Sequence, residues 1–462
     1  MHRYLIYLTF LLTTLGVKAE LPNLTSANSS ALQIDQEYRI GQAWVSMVRG
    51  RTKLLDDPVV ESYLKGLIGR LAPVSELQDQ RLTLVLIDNP EVNAFAAPGG
   101  ILGINAGLLL ATEHEDELAS VVAHELAHLS QRHYAQQQAA SERSKPLVLA
   151  GILGGILLSS VSTDAGMAVM QGTMGATASA QLAFSRANES DADQVGMKTL
   201  VNAGFSPTAM PRMFTRLQEA NRFSGDSVPE FLRTHPVTQS RIADSSNRAM
   251  NLPTPSNYSD SPEFLIARAR IHAHFADQSR LQEGSSKPLN DYMLAVKSDQ
   301  HERAEQIWDG LSPTLQQSPW LQLTRVIQLQ SHAPLESQKL QEELTDLYLG
   351  DYPIQRAQID WYLSAGRTRE AVEILKNLVR EVPNNPHLWY LLAETSGTLG
   401  DNFGVHRARV EYFLLRADYD LALRQLEFAR RDARRYPQEL EWINQRETEV
   451  VRLRDEVDQL FN

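Results

Sequence analysis

The chain has 462 residues, a formal net charge of −12 and a pI near 5.5, a balance that argues against a nucleic-acid-binding surface. It contains no cysteine, which excludes disulfides, thiolate metal ligands, thiol catalysis and the lipid-anchored cysteine of a bacterial lipoprotein. The length suits two or more domains, each held together by packing alone. A secreted chain of this kind fits a bacterial periplasm better than an animal extracellular space.

Residues 1–19 have the form of a secretory signal peptide. Arg3 supplies a positive start, Tyr4 to Leu15 is apolar and uncharged, and Val17-Lys18-Ala19 is a small-x-small cleavage site before Glu20. A membrane anchor needs about 20 apolar residues, more than this run offers. Cleavage after Ala19 removes Arg3 and Lys18 and takes the net charge to −14.

Residues 20–35, rich in Leu, Asn and Ser, read as a flexible lead-in. Gln36 to Leu71 reads as helical, with a second helix opening at Asp57-Pro58. Arg81 to Ile87 alternates and is rich in β-branched residues, so it predicts a strand. Val92-Asn93-Ala94-Phe95-Ala96 predicts a second strand and Ile101 to Asn105 a third, separated by the break Pro98-Gly99-Gly100. Pro146 to Val161 is apolar with three glycines but short of a membrane span. It suits a core helix, or else a mobile lid or membrane-facing element that would give peripheral contact with the outer membrane. Helix returns over Gln181 to Gly204, and a Pro-, Ser- and Asn-rich stretch from Leu252 to Pro262 marks a domain boundary.

Val121-Val122-Ala123-His124-Glu125-Leu126-Ala127-His128 carries H-E-x-x-H inside an apolar helix. Thr112 and Glu115 have the spacing of a capping box, predicting a start near Glu113. Residues four apart share a helical face, so His124 and His128 can offer two imidazoles to one metal ion. Glu125 lies about 100° around the helix, where it can reach a water on the metal as general base. A third ligand is still needed. His133 falls about 140° round the helix from His128 and points away. The metzincin pattern fails too, because Gln131 and Tyr134 stand where Gly and His are required. Glu189 and Asp193 are four apart on a later helix, so one can ligate while the other accepts a hydrogen bond from a ligating imidazole. Glu189 is assigned as the third ligand and Asp193 as the supporting acceptor. The fold class expected is an α+β zincin-type domain over residues 20–258, whose edge strand captures substrate backbone.

Beyond residue 259 no strand pattern survives, and amphipathic helices run to residue 462. Ala371, Leu375, Leu378 and Pro383, followed by Pro386, Trp389, Leu392 and Ala393, match the spacing of a tetratricopeptide repeat. Val405 stands where a small residue is expected, so the fit is imperfect. Repeats of this kind stack into a concave surface for a protein or peptide partner.

Taken together, Asn93-Ala94-Phe95, Pro98-Gly99-Gly100, His124-Glu125-x-x-His128, Glu189-x-x-x-Asp193 and His235-Pro236 with Arg241 resemble the HtpX and CAAX-prenyl-protease-like zinc metallopeptidases. The signal peptide in front and the repeats behind are similar to periplasmic members of that family. The resemblance implies one zinc ion held by His124, His128 and Glu189, with Glu125 as base, and substrate backbone bound along Asn93, Ala94 and Phe95. It also implies endopeptidase activity on unfolded or misassembled outer-membrane proteins. A chaperone-like role beside the β-barrel assembly machinery, reached through the repeats, would accompany it. His235 has two readings: a donor to the tetrahedral oxyanion, or a fourth zinc ligand that keeps the protease silent. The competing function is a non-proteolytic assembly scaffold that works mainly through its repeats.

Overall fold

The computed structural model describes residues 24–133, 178–223, 230–256, 258–276, 287–433 and 437–461. The expected signal peptide and the apolar segment Pro146 to Val161 lie outside the described residues. Two helices, α1 (Leu24–Arg51) and α2 (Pro58–Leu71), come first. The lead-in expected over residues 20–35 is corrected here, because α1 already begins at Leu24. That stretch contains no Gly or Pro after Pro22, and helix propagates readily from a packed nucleus such as Trp44, Val45 and Val48, which are fully buried. Asp57 caps α2, accepting from the amides of Val59 and Val60.

Three strands follow: β1 (Thr83–Ile87), β2 (Ala94–Ala97) and β3 (Ile101–Asn105). They form one sheet in the order β1-β3-β2, with β1 parallel and β2 antiparallel to β3. One face of the sheet packs Val85, Ile87, Phe95 and Ile101 against Trp44 and Val48 of α1. The other packs Leu86, Ala94, Ala96, Leu102 and Ile104 against the helices that follow. Gly103 is required at the centre of the sheet, because a Cβ there would lie 2.1 Å from the Phe95 ring.

The short α3 (Gly107–Ala111) leads to α4 (Glu115–Ser130), the helix of the H-E-x-x-H motif. Its cap differs from the one expected. Thr112 Oγ1 donates to Leu109 O and so closes α3. Glu117, not Glu115, reaches back to accept from the amides of Glu113 (2.8 Å) and His114 (3.4 Å). The amide of Glu115 donates to Asp260 Oδ1 at 2.8 Å, a cap supplied from 145 residues further on. Then come α5 (Ala178–Asn202), α6 (Ala209–Phe223), α7 (Glu230–Thr234) and α8 (Gln239–Ala249). In chain order α9 (Pro262–His274) begins an all-helical region. It continues as α10 (Lys287–Lys297), α11 (His301–Gly310), α12 (Pro313–Gln316), α13 (Pro319–Gln330), α14 (Pro334–Leu347) and α15 (Tyr352–Ser364). The last five helices are α16 (Thr368–Glu381), α17 (Pro386–Thr398), α18 (Asn402–Leu414), α19 (Tyr419–Asp432) and α20 (Pro437–Phe461).

Helix α9 has two apolar faces with different partners. Phe264, Ala267 and Ile271 join the core around α2 and α4, whereas Ile266, Ala269 and Ala273 join the core of the helices beyond. Ala371, Leu375 and Leu378 of α16 bury against Leu388, Leu392 and Ala393 of α17. At the far end of the chain Arg416 Nη2 donates to Gly50 O at 3.0 Å, bringing the α18–α19 turn onto the end of α1. A Cβ on Gly50 would lie 2.3 Å from Arg416 O, so only glycine permits that approach. No described helix is long and apolar enough to cross a membrane.

Candidate metal centre

Helix α4 is buried on all sides from Glu115 to His128, which is why its sequence is apolar around the motif. His124 and His128 face the same way, with their Nε2 atoms 3.1 Å apart. Helix α5 crosses against α4 and brings Glu189 into the same space. Its Oε2 lies 3.4 Å from His124 Nε2 and its Oε1 3.4 Å from His128 Nε2. The close crossing depends on Gly196, on the same face of α5 as Glu189 and Asp193. A Cβ there would lie 3.1 Å from the backbone of Ala123 and His124.

His235 arrives from the end of α7. Its Nδ1 is 2.9 Å from Glu189 Oε1 and 3.4 Å from His124 Nε2, and its ring stacks on Phe231. His124, His128, Glu189 and His235 thus form a buried set whose donor atoms lie within 4.8 Å of one another. Tetrahedral bonds of about 2.1 Å would separate ligand atoms by about 3.4 Å, close to the spacings observed. The hydrogen bonding also fits a cation. Asp193 Oδ1 lies 3.1 Å from His124 Nδ1, an acid placed to keep a proton on that nitrogen and leave Nε2 for the cluster when an ion is bound. Inward lone pairs and a carboxylate repel one another unless positive charge stands between them. The donor set suits a borderline metal such as zinc.

The field of the site agrees. Burial works to lower the His124 pKa, yet the carboxylates of Asp193 and Glu189 hold it up at about 10. Burial, aided by the charges of His124 and His235 against the pull of Glu189, pushes His128 down to about 3. Burial would raise Glu189, but His235, His124 and His128 overcome it and keep its carboxyl well below the usual carboxylate range. Glu125 is displaced the other way. Burial raises it, the charges of His235 and His124 only partly offsetting the effect. Its Oε1 lies 3.6 Å from His235 Nε2, outside hydrogen-bonding range.

Several contributors escaped the reading of the sequence. His133 does not point away. The helix stops at Ser130, Arg132 turns the chain at φ +51°, and His133 Nδ1 comes within 3.0 Å of His128 Nδ1. Its other nitrogen lies 3.2 Å from Asp191 Oδ2, so that acid has a partner of its own. Arg241 of α8 entered the sequence reading only as part of the family resemblance, without a role, and the structure supplies one. It donates from Nε and Nη2 to both oxygens of Asp193, at 2.8 and 2.7 Å, and from Nη1 to Pro236 O at 2.9 Å. The same Nη1 is 2.9 Å from Glu189 Oε2. One guanidinium therefore ties both acids of α5 to the segment that carries His235. The visible signal was an arginine six residues after His235 and within the same motif, a cation that needs an acid to pair with once buried.

Asn93, Ala94 and Phe95 do not share one role. Ala94 and Phe95 lie in β2, one edge of the sheet, while Asn93 precedes it and its carbonyl accepts from Asn105 N. The Phe95 ring turns away from α4 and meets Trp44 edge-on at 6.0 Å. Only the backbone of this strand is therefore offered along its edge.

A helix bearing two imidazoles and a buried carboxylate, crossed by a second acidic helix beside a sheet edge, defines a metallopeptidase. Comparison with known proteins agrees. The family model of peptidase family M48 matches residues 58–249. The chain is 31% identical over 424 residues to the β-barrel assembly-enhancing protease of Escherichia coli K12, covering 88% of this chain and 86% of that one. It is 32% identical over 397 residues to the Yersinia pestis protein of the same name, covering 82% and 81%. A shorter match, 31% over 180 residues, joins it to the mitochondrial metalloendopeptidase OMA1 of Schizosaccharomyces pombe, covering 39% of this chain and 50% of that one. The chain belongs to peptidase family M48.

Proposed function

We propose that the protein is a periplasmic zinc endopeptidase that removes misassembled outer-membrane β-barrel proteins and assists the assembly of the rest. The similarity to β-barrel assembly-enhancing proteases over most of both chains carries this reading. The buried four-residue donor cluster supports its chemistry. Residues 1–19 act as the signal peptide, residues 20–258 form the peptidase domain and residues 259–462 a tetratricopeptide-type repeat domain. The antiparallel packing of α16 on α17 through Ala371, Leu375, Leu388 and Leu392 supports the repeat assignment. The assembly machinery binds the repeats.

His124, His128 and Glu189 hold the zinc, and Asp193 fixes the tautomer of His124. When bound, the zinc supplies a Lewis acid that polarises a carbonyl and acidifies water. The outer edge of β2 holds the substrate backbone as an added strand beside α4. Glu125, raised by burial, takes the proton of the attacking water and returns it to the departing amine. His235 serves as the latch. Its 2.9 Å approach to Glu189 and its stacking on Phe231 favour a resting position inside the donor set over an oxyanion donor.

Two variants test this reading. Glu125→Gln keeps metal and fold and lowers cleavage of an unfolded outer-membrane β-barrel protein by at least about a thousandfold. Cleavage at wild-type rate would remove Glu125 from the mechanism. Full support of outer-membrane assembly by the inert variant would favour the scaffold reading. His235→Ala raises cleavage several-fold, whereas a clear fall would return His235 to the oxyanion role.

A further inference from the structure

On the side of the sheet away from the metal cluster, the outer edge of β1 is only half covered. Leu55 N donates to Leu86 O and Asp88 N to Lys53 O, so residues 53–55 pair with the end of the strand. Thr83 N bonds towards β3, so by alternation Leu84 turns its N–H and C=O outward. Neither finds a partner among the described residues. The open stretch floors a cavity of about 260 Å³. The end of α1 and the side of α2, through Arg49, Glu61 and Lys65, form one wall, and the α16–α17 turn from Glu381 to His387 forms the other. The open part of the edge is centred on Leu84 and ends where Leu86 O accepts from Leu55 N.

Arg49 is the unexplained residue. Its side chain lines this cavity and is only 8% exposed, yet it makes no hydrogen bond or ion pair among the described residues. Glu61, the nearest acid in charge terms, is already engaged by Lys65 Nζ at 2.7 Å. Burial pushes the guanidinium down to about 10, with the charge of Glu61 pulling it back up. It stays cationic at neutral pH. A largely buried cation with no directional partner is poorly satisfied, and an anion entering the cavity would complete it. The wall that carries it is fixed in place by the Gly50–Arg416 contact next to it.

We propose that this groove is an exosite for the carboxyl end of an extended polypeptide, whose backbone adds to the β1 edge at Leu84 and whose terminal carboxylate pairs with Arg49. The two features select for one ligand. A strand edge offers hydrogen bonds to a peptide backbone and to little else, and a guanidinium recognises a carboxylate through paired N–H donors. A chain end is the place where both meet, because the α-carboxylate continues the line of the strand. The groove is separate from the β2 edge, so one client chain can be held by its end at β1 while another part of it lies at the metal cluster.

The test is fluorescence anisotropy with a labelled hexapeptide of alternating threonine and valine, prepared as free acid and as C-terminal amide. The full chain carries Glu125→Gln so that the peptide is not cut. The free acid is expected to bind at least about tenfold more tightly than the amide, and Arg49→Met to abolish that preference. Leu84→Pro, which removes the outward amide together with a side chain packed on the core, is expected to weaken both peptides while the chain stays folded by circular dichroism. Equal binding of acid and amide to the unsubstituted groove would overturn the proposal without relying on any variant. So would an acid preference that survives Arg49→Met. Competition by millimolar inorganic phosphate as strong as that by unlabelled peptide would reduce the groove to a simple anion site and likewise overturn it.

Discussion

The two ends of α4 treat buried charge in opposite ways. At the amino end Glu115, Asp116 and Glu117 are each buried and each answered. Asp116 meets Arg212 Nη2 at 2.5 Å, and Glu117 meets Arg212 at 3.3 Å and Arg216 at 3.2 Å. Glu115 accepts from Ser261 Oγ at 2.9 Å and from Tyr63. At the carboxyl end His124, His128 and Glu189 converge on one another, and neither oxygen of Glu125 accepts a regular hydrogen bond among the described residues. One end is an anchor in which charges cancel. The other gathers three imidazoles and Glu189 around one point, where a cation fits. A single helix thus separates the groups that hold the site from the groups that use it.

Substitutions can break either half. The largest effect short of replacing a member of the donor cluster or Glu125 is expected from Gly196→Val, which touches neither. Its side chain meets the backbone of Ala123 and His124 and pushes α5 away from α4, carrying Glu189 with it. Peptidase activity should fall about a hundredfold, as misplacement on the scale of 1 Å does, and metal affinity should fall with it. Wild-type activity would mean that the crossing distance of α4 and α5 does not set the geometry. Asp193→Ala comes next. It leaves His124 Nδ1 and Arg241 without their shared acceptor, and metal affinity measured by chelator competition should weaken about 10- to 100-fold. An unchanged affinity would show that Asp193 orients nothing.

Glu117→Gln sharpens the contrast from the other end. It should lower stability by about 2 kcal/mol in urea unfolding, less than for a fully enclosed pair because Arg212 and Arg216 keep 42% and 30% exposure. The folded fraction should retain full metal content. Loss of metal without loss of stability would erase the division between the two ends.

What the sequence made legible was local and periodic. The four-residue intervals His124–His128 and Glu189–Asp193 declare a shared face, and the alternation from Arg81 to Ile87 declares a strand, found at Thr83–Ile87. What stayed hidden depends on residues far apart in the chain. Asp260 caps α4 across 145 positions, and Arg241 joins Asp193 across 48. No repeat or spacing records such pairs. The cap itself was misread because Thr112 and Glu115 have the right spacing by coincidence, while α3 ends at Ala111 and takes Thr112 with it. Gly196 had a trace, since Glu189, Asp193 and Gly196 fall at intervals of four and three. A glycine on a ligand-bearing face deserves to be read as a contact rather than as a weak helix former.

That the carboxyl half of α4 holds a metal is tested most directly by elemental analysis of the purified chain. Mass-spectrometric metal counting should find one zinc per chain in the wild type, one in Glu125→Gln, and almost none once His124→Ala is combined with Glu189→Gln. A wild-type chain that takes up no divalent metal on zinc titration, or a double variant that keeps a full equivalent, would contradict it.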